Sequence, residues 1–202
     1  MNLQNLIRQE HKIVIVGQSG AGKTYLGKWL FRRLQFSPKI AVDPVGALLR
    51  CDSIGYCGYS KYYKAHIFKF FSAEALNKFL GHFFGKSFFL FLDEADSYIP
   101  SHSLSIQKFF YTFRWLKEGR NFSEGGILIS QLVGQLNKQA FTNSQWLIQF
   151  NLNNVSSIKY LRSLGIPVKE QLPPYHFMLY DLMNSRELGV YTLVGNRLKS
   201  VD

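Results

Sequence analysis

Three features of the sequence predict an α/β domain with a mainly parallel central sheet flanked by helices and a C-terminal β-hairpin. Short β-branched or aromatic runs, "KIVIV", "SFFLFL" and "GILIS", alternate with segments of helical period through roughly residue 160. Polar residues in those runs stand only at their ends, with no polar alternation between, as suits strands buried on both faces. Beyond residue 160 the pattern changes: "YHFMLYDL" and "LGVYTLV" flank the turn-like "MNSRE".

Taken in order, "KIVIV" (12–16) reads as a buried strand ended by Gly17, and a helix follows from about Gly22 to Leu34. "KIAVDP" (39–44) is a second strand, stopped by Pro44, and "AHIFKF" (65–70) a shorter third. "SAEALNKFLGHFF" opens with the capping pair Ser72 and Glu74 and predicts a helix. "SFFLFL" (87–92) is a central strand. From Leu104 to Glu118 the spacing is helical, with Ile106, Phe109, Phe113 and Leu116 on one face and Gln107, Tyr111, Arg114 and Glu118 opposite. "GILIS" (126–130) and "QWLIQFNL" (145–152) are further strands.

At 202 residues the chain suits one domain with a sizeable core and is short for two. The reading is a single domain over 1–202, with a core of about 12–160 and an extension of about 161–202. No apolar run is long enough for a bilayer, and "MNLQNLIRQEHK" lacks the apolar centre of a signal peptide, so an intracellular, non-secreted protein is expected. Cys51 and Cys57 have no finger-spaced His partners; ordinary thiols are the default and a short disulfide loop the alternative. The net charge of +11 favours a polyanionic partner. It belongs to the fold rather than to a tail: residues 1–100 hold thirteen basic against seven acidic side chains, and 101–202 eleven against six.

"GQSGAGKT", Gly17, Gln18, Ser19, Gly20, Ala21, Gly22, Lys23 and Thr24, matches G-x-x-x-x-G-K-[ST] between a predicted strand and a predicted helix. Glycines let the backbone curl so that N–H groups face phosphate oxygens, Lys23 reaches the β and γ phosphates of ATP, and the Thr24 hydroxyl meets Mg²⁺. "FFLFLDEADS" supplies the second half: Asp93, at the carboxyl end of an apolar strand, reaches the Mg²⁺ shell, usually through water. Glu94 directly behind it suits an enzyme that splits ATP with water and needs a base beside the γ-phosphate. Gln131, directly after "GILIS", can sense that phosphate or orient the water. The helicase meaning of "DEAD" is discounted, since the companion "SAT" and a second motor domain are missing. "NKQA" (137–140) lacks the Asp that reads guanine.

Phosphate loop, Asp93–Glu94 pair and the block "EGRNFSEGGILISQL" together resemble the FtsK/HerA superfamily of DNA-pumping ATPases over about residues 12–135. The resemblance implies a RecA-like P-loop NTPase fold, Gln131 as the sensor and Arg120 as an arginine contributed to the nucleotide, across a subunit interface if the active species is a ring. Arg114, Arg162 and Arg186 are rivals for that role. Leu132-Val133 stands where the family usually has Arg-Pro. The bare, aromatic-rich motor looks most like the genome-packaging ATPases of tailless icosahedral viruses with an internal membrane, those of Sulfolobus turreted icosahedral viruses in particular. That likeness implies pumping of double-stranded DNA into a preformed capsid by a homo-oligomeric ring, hexamer or pentamer, beside capsid vertex proteins, in host cytoplasm or virion. A cellular translocase of the superfamily and a phage-type assembly or export ATPase that never handles duplex DNA are the alternatives. For DNA contact the candidates are Lys61, Lys64 and Lys69 among Tyr59, Tyr62 and Tyr63, with Lys138 and Lys159 weaker and a solvated edge strand the plain alternative.

Overall fold

The computed structural model describes residues 3–44, 46, 48–49, 54–70, 72–101, 108–194 and 197–201. Short α1 (Leu3–Leu6) precedes β1 (Lys12–Val16), α2 (Lys23–Arg33), β2 (Lys39–Val42), β3 (Gly55–Ser60) and β4 (Ala65–Lys69). Next come α3 (Ala73–Phe83), β5 (Phe88–Leu92), α4 (Ala95–Tyr98), α5 (Phe110–Glu118), β6 (Glu124–Ser130), α6 (Lys138–Thr142), β7 (Trp146–Gln149) and α7 (Val155–Ser163). The chain closes with β8 (His176–Asp181), β9 (Arg186–Val194) and β10 (Arg197–Ser200).

Among the described residues, the ten strands form one sheet in the order β10-β9-β8-β7-β1-β6-β5-β2-β4-β3. The six central strands, β7 to β4, are parallel; β3 and the β8–β9–β10 meander add antiparallel edges. Successive side chains of a strand point to opposite faces, so each buried strand serves two cores. Val14, Val16, Leu90, Leu92 and Leu128 meet Leu76 and Leu80 of α3, Trp115 and Leu116 of α5 and Leu161 of α7. Ile13, Ile15, Phe89, Phe91, Ile127 and Ile129 meet Leu3 of α1 and Leu26, Leu30 and Phe31 of α2. Both-face burial is why these strands read as unbroken apolar runs.

The predicted elements are present, with differences at the periphery. Ser72 caps α3 by accepting from the Ala75 N–H at 3.2 Å. In α5 the predicted inner face holds: Phe109, Phe113 and Leu116 are buried, while Tyr111 and Glu118 are exposed. Ile106 and Gln107 lie outside the described residues, and the described helix begins at Phe110. The sequence reading had no β3, whose alternation is broken by glycines and a bulge. The expected terminal hairpin gains a third strand, β10, paired to β9 from Arg197 against Val194 to Ser200 against Tyr191. Cys57 is disulfide-bonded, which corrects the free-thiol default; Cys51 lies outside the described residues. Among the described residues no helix is long and apolar enough to cross a membrane.

Candidate nucleotide site

Parallel strands place every carboxyl end along one edge, the head of the sheet. Val16, the last residue of β1, is level with Ser130 of β6, and Leu92 of β5 with Leu128. Since β6 lies between β1 and β5, the loop after β1, the Gln131 position after β6 and the acidic turn after β5 stand side by side.

Gly17 to Gly22 turn the chain from β1 into α2. Gly17 has φ +156°, and a Cβ there would come within 2.6 Å of the Phe150 Cβ, so only glycine lets the loop lie against the end of β7. The Gln18 N–H donates to the Asn151 carbonyl at 3.0 Å and fixes the loop's outer arm. Gly22 caps α2 in the left-handed conformation, leaving the first-turn N–H groups of an 11-residue helix aimed out of its N-terminus. Lys23 is only 4% exposed and donates from Nζ to the Gln18 carbonyl at 2.7 Å. Burial holds its amine below the usual lysine range, with Asp93 and Asp96 opposing that shift.

Thr24 Oγ1 donates to Asp93 Oδ2 at 3.1 Å, joining loop and acidic turn directly. A hydroxyl and a carboxylate so placed are hard oxygen donors of the kind Mg²⁺ accepts, and the pair could hold that ion together with phosphate and water oxygens. Asp93 is 5% exposed; burial raises its pKa, and hydrogen bonds from the Glu94 N–H and Thr24 offset part of the rise. Glu94 is half-buried and has φ 54°, ψ 45°, a left-handed backbone that glutamate rarely adopts. Burial first, then the neighbouring Asp93 and Asp96 charges, push its carboxyl above the ordinary range. Gln131 is exposed, one residue beyond buried Ser130.

Sequence reasoning missed Asp96. Ser130 Oγ donates to Asp96 Oδ1 at 2.6 Å, which fastens α4, directly behind Glu94, to the head of β6. The "DEAD" string contained the signal as a third carboxylate, but its partner is 34 positions away in sequence.

Arg120 is not part of this cluster. It precedes β6, so it sits at the foot of the sheet, where its charge is felt by His11 and Lys12. Six steps of β6 alone separate the two edges by about 20 Å. Among its rivals, Arg114 pairs with Glu118 at 2.8 Å and lies over the Phe84 ring, Arg162 pairs with Glu170 at 2.6 Å, and Arg186 begins β9 at the foot.

The three lysines proposed for DNA do not form one patch. Lys61 and Lys64 are exposed in the β3–β4 turn at the foot, whereas Lys69 ends β4 at the head. Beside the turn, Arg32 of α2 lies 4.0 Å from the centre of the exposed Tyr62 ring. Tyr59 is exposed and packs on His66, while half-buried Tyr63 turns inward to Phe31. Lys138 and Lys159 are exposed on α6 and α7.

No protein-family model matches the sequence, and no curated protein matches it. Solved structures do match. The genome packaging NTPase B204 of Sulfolobus turreted icosahedral virus 2, in complex with ATP-gammaS, is 18% identical, with TM-score 0.68 over 91% of this chain and 98% of that one. B204 of Sulfolobus turreted icosahedral virus, a DNA-packaging ATPase, is 20% identical, with TM-score 0.69 over 97% of this chain and 100% of that one. The N-terminal domain of zonular occludens toxin from Neisseria meningitidis is 14% identical, with TM-score 0.52 over 92% and 95%. The likeness to the two B204 packaging ATPases thus extends over nearly the whole length of this chain, which has their fold.

Proposed function

We propose that this chain, as a single motor domain, hydrolyses ATP with Mg²⁺ and uses the energy to pump double-stranded DNA into a preformed capsid. The observation that carries the ATPase reading is the Thr24–Asp93 hydrogen bond with Glu94 at the next position. It sets the loop, the Asp93 carboxylate and Glu94 at one edge of the sheet, which supports reading them as phosphate cradle, metal ligand and base. The fold shared with two B204 proteins supports the step from ATPase to packaging.

In this mechanism the N–H groups of the loop and of the first turn of α2 hold the β and γ phosphates. Lys23 gives up the Gln18 carbonyl for a phosphate oxygen. Thr24 and Asp93 would hold Mg²⁺, which when bound draws charge from the phosphate oxygens. Glu94 takes the proton of a water whose oxygen attacks the γ phosphorus, as the bond to the β–γ bridging oxygen breaks and ADP leaves. A carboxylate whose pKa is raised is a better proton acceptor than an ordinary one. Gln131 orients the water or registers loss of the phosphate. Arg120, at the foot of its own sheet, acts on a neighbouring copy, which makes a homo-oligomeric ring, pentamer or hexamer, the working form at a capsid vertex, in host cytoplasm or virion. DNA phosphates are gripped by Lys61 and Lys64, and Lys69 contacts DNA only along a path that spans head and foot.

ATP turnover with and without duplex DNA tests this reading. Hydrolysis that rises with DNA, and a Glu94→Gln variant that binds ATP without turnover, are expected. A Glu94→Gln enzyme with normal turnover would refute the base assignment. Turnover indifferent to duplex DNA would favour the assembly or export ATPase instead.

A further inference from the structure

Beside the first turn of α2 lies a cavity of about 310 Å³. Gly22 floors it, and Tyr25, Leu26, Phe150, Tyr175, Phe177 and Leu193 wall it. Its position follows from strand order. The γ-phosphate must face β6 and β5, where Gln131 and Glu94 stand; the other end of a nucleotide on the same loop therefore points the opposite way from β1, toward β7, β8 and β9. That is where Phe150, Phe177 and Leu193 lie, beyond the end of β7, in β8 and in β9.

Two of the walls are unusual surface groups. Tyr25 is 64% exposed and Tyr175 67% exposed, two large rings left in solvent across one apolar recess. Tyr175 also has φ +61°, a conformation unfavourable for any residue with a side chain. Its segment is held there from both sides: Thr192 Oγ1 donates to the Tyr175 carbonyl at 3.3 Å, and the His176 N–H donates to the Pro173 carbonyl at 3.1 Å. The ring consequently reaches over the loop, close enough that a Cβ on Gly22 would lie 3.4 Å from Tyr175 Cδ1. Behind it Phe150 and Phe177 are buried, with ring centroids 5.3 Å apart. Among the described residues, two tyrosine hydroxyls are the only side-chain hydrogen-bonding groups on the wall. A recess that is flat-sided, aromatic and open at one end suits a planar heterocycle held by its faces. Discrimination between bases needs buried donors and acceptors matched to one base edge, and the described lining residues of this cavity supply none.

We propose that this cavity seats the base of the nucleoside triphosphate by stacking against Tyr175 and Tyr25, without reading the base edge. The site then selects a nucleoside triphosphate over a bare polyphosphate but accepts adenine and guanine alike. This rests on the nucleotide-binding reading above and extends it to the class of substrate.

Calorimetric titration of the full-length chain with ATP, GTP and inorganic tripolyphosphate, in the presence of Mg²⁺, tests it. The unsubstituted protein should bind ATP and GTP within about threefold of each other and tripolyphosphate more weakly. Tyr175→Ala should weaken ATP and GTP together by about tenfold, the loss expected for one base–aromatic stack. Its tripolyphosphate affinity should stay put, and Tyr175→Phe should restore nucleotide binding. Because Tyr175 is exposed, an unchanged circular dichroism spectrum is expected for both variants. A preference for ATP over GTP of a hundredfold, or a Tyr175→Ala protein that binds ATP as before, would overturn the inference while leaving the phosphate loop intact. If the unsubstituted protein bound neither ATP nor tripolyphosphate, the nucleotide reading itself would fall, and this inference with it.

Discussion

Glu94 carries two separable liabilities, and replacing it in two ways should separate them. Its backbone is left-handed, which costs a residue with a Cβ about 1–2 kcal/mol. Its carboxylate is half-buried beside Asp93 and Asp96, both of which oppose its ionisation. Glu94→Gln removes the charge and keeps the strain; Glu94→Gly removes both. Glycine returns part of the strain relief, because it orders from a larger unfolded ensemble at a cost of about 0.5–1 kcal/mol. A net advantage of Gly over Gln of about 0.5–1 kcal/mol remains. For a chain of this length that is a rise in Tm of about 1–4 °C. Differential scanning calorimetry at pH 7 gives the order: Gly above Gln, and Gln at or above the unsubstituted protein. Both variants should lose ATP turnover. Strain kept at one residue that stability does not want is the expected mark of a functional position. If Glu94→Gly melted below Glu94→Gln, the left-handed geometry would not be a cost at this site, and the argument from strain to function would fail.

Burial holds the Lys12 amine down to about 8, so between about pH 8 and 10.5 the unfolded chain keeps a proton that the folded chain has released. Stability contributed by this group therefore rises with pH across that window. Relative to Lys12→Met, the unsubstituted protein should gain about 2 kcal/mol between pH 7.5 and 9.5 in urea unfolding, and a constant difference would contradict the shift. For DNA binding, Lys61→Ala and Lys64→Ala should each lower the slope of log affinity against log salt by about 0.9, whatever the DNA sequence. A slope unchanged in the double variant would remove the foot of the β3–β4 turn from the DNA path.

The central strands were legible because burial on both faces leaves one kind of sequence. "KIVIV", "FFLFL" and "GILIS" have no polar parity, and each becomes a parallel strand of the predicted sheet. The edges were not. In β3, "GYCGYS" is half-solvated and interrupted by two left-handed glycines, and β10, "RLKS", is largely exposed, so neither imposes an apolar pattern. At the site, loop and acidic turn could be read because each is local in sequence and its place at the head of the sheet follows from strand direction. What joins them could not. Ser130 to Asp96, Thr24 to Asp93, and Tyr25 lining one cavity with Tyr175, 150 positions away, are juxtapositions that exist only once the strand order is known.

Strand direction also constrains the arginine. Whatever follows a parallel strand stands at the head, and whatever precedes it stands at the foot. Gln131 and Arg120, eleven positions apart, therefore lie at opposite ends of β6. No rotation of the Arg120 side chain spans the length of that strand, and β6 is fixed on both sides by β1 and β5. On the proposed reading, the arginine that completes the site must then come either from elsewhere in the chain or from another copy. Within the chain, Arg114 and Arg162 are engaged by Glu118 and Glu170, Arg186 shares the foot with Arg120, and Arg197 begins β10 at the head but on the outer edge of the sheet, five strands away from β6. A second copy whose foot meets the head of the first would bring Arg120 to the nucleotide. Head-to-foot contact of this kind is heterologous, and it forms the proposed ring where the rotation between copies closes, an open filament where it does not. On that reading, the separation of Arg120 from its own cleft would make hydrolysis depend on assembly, and Arg120→Ala should lower ATP turnover without weakening ATP binding.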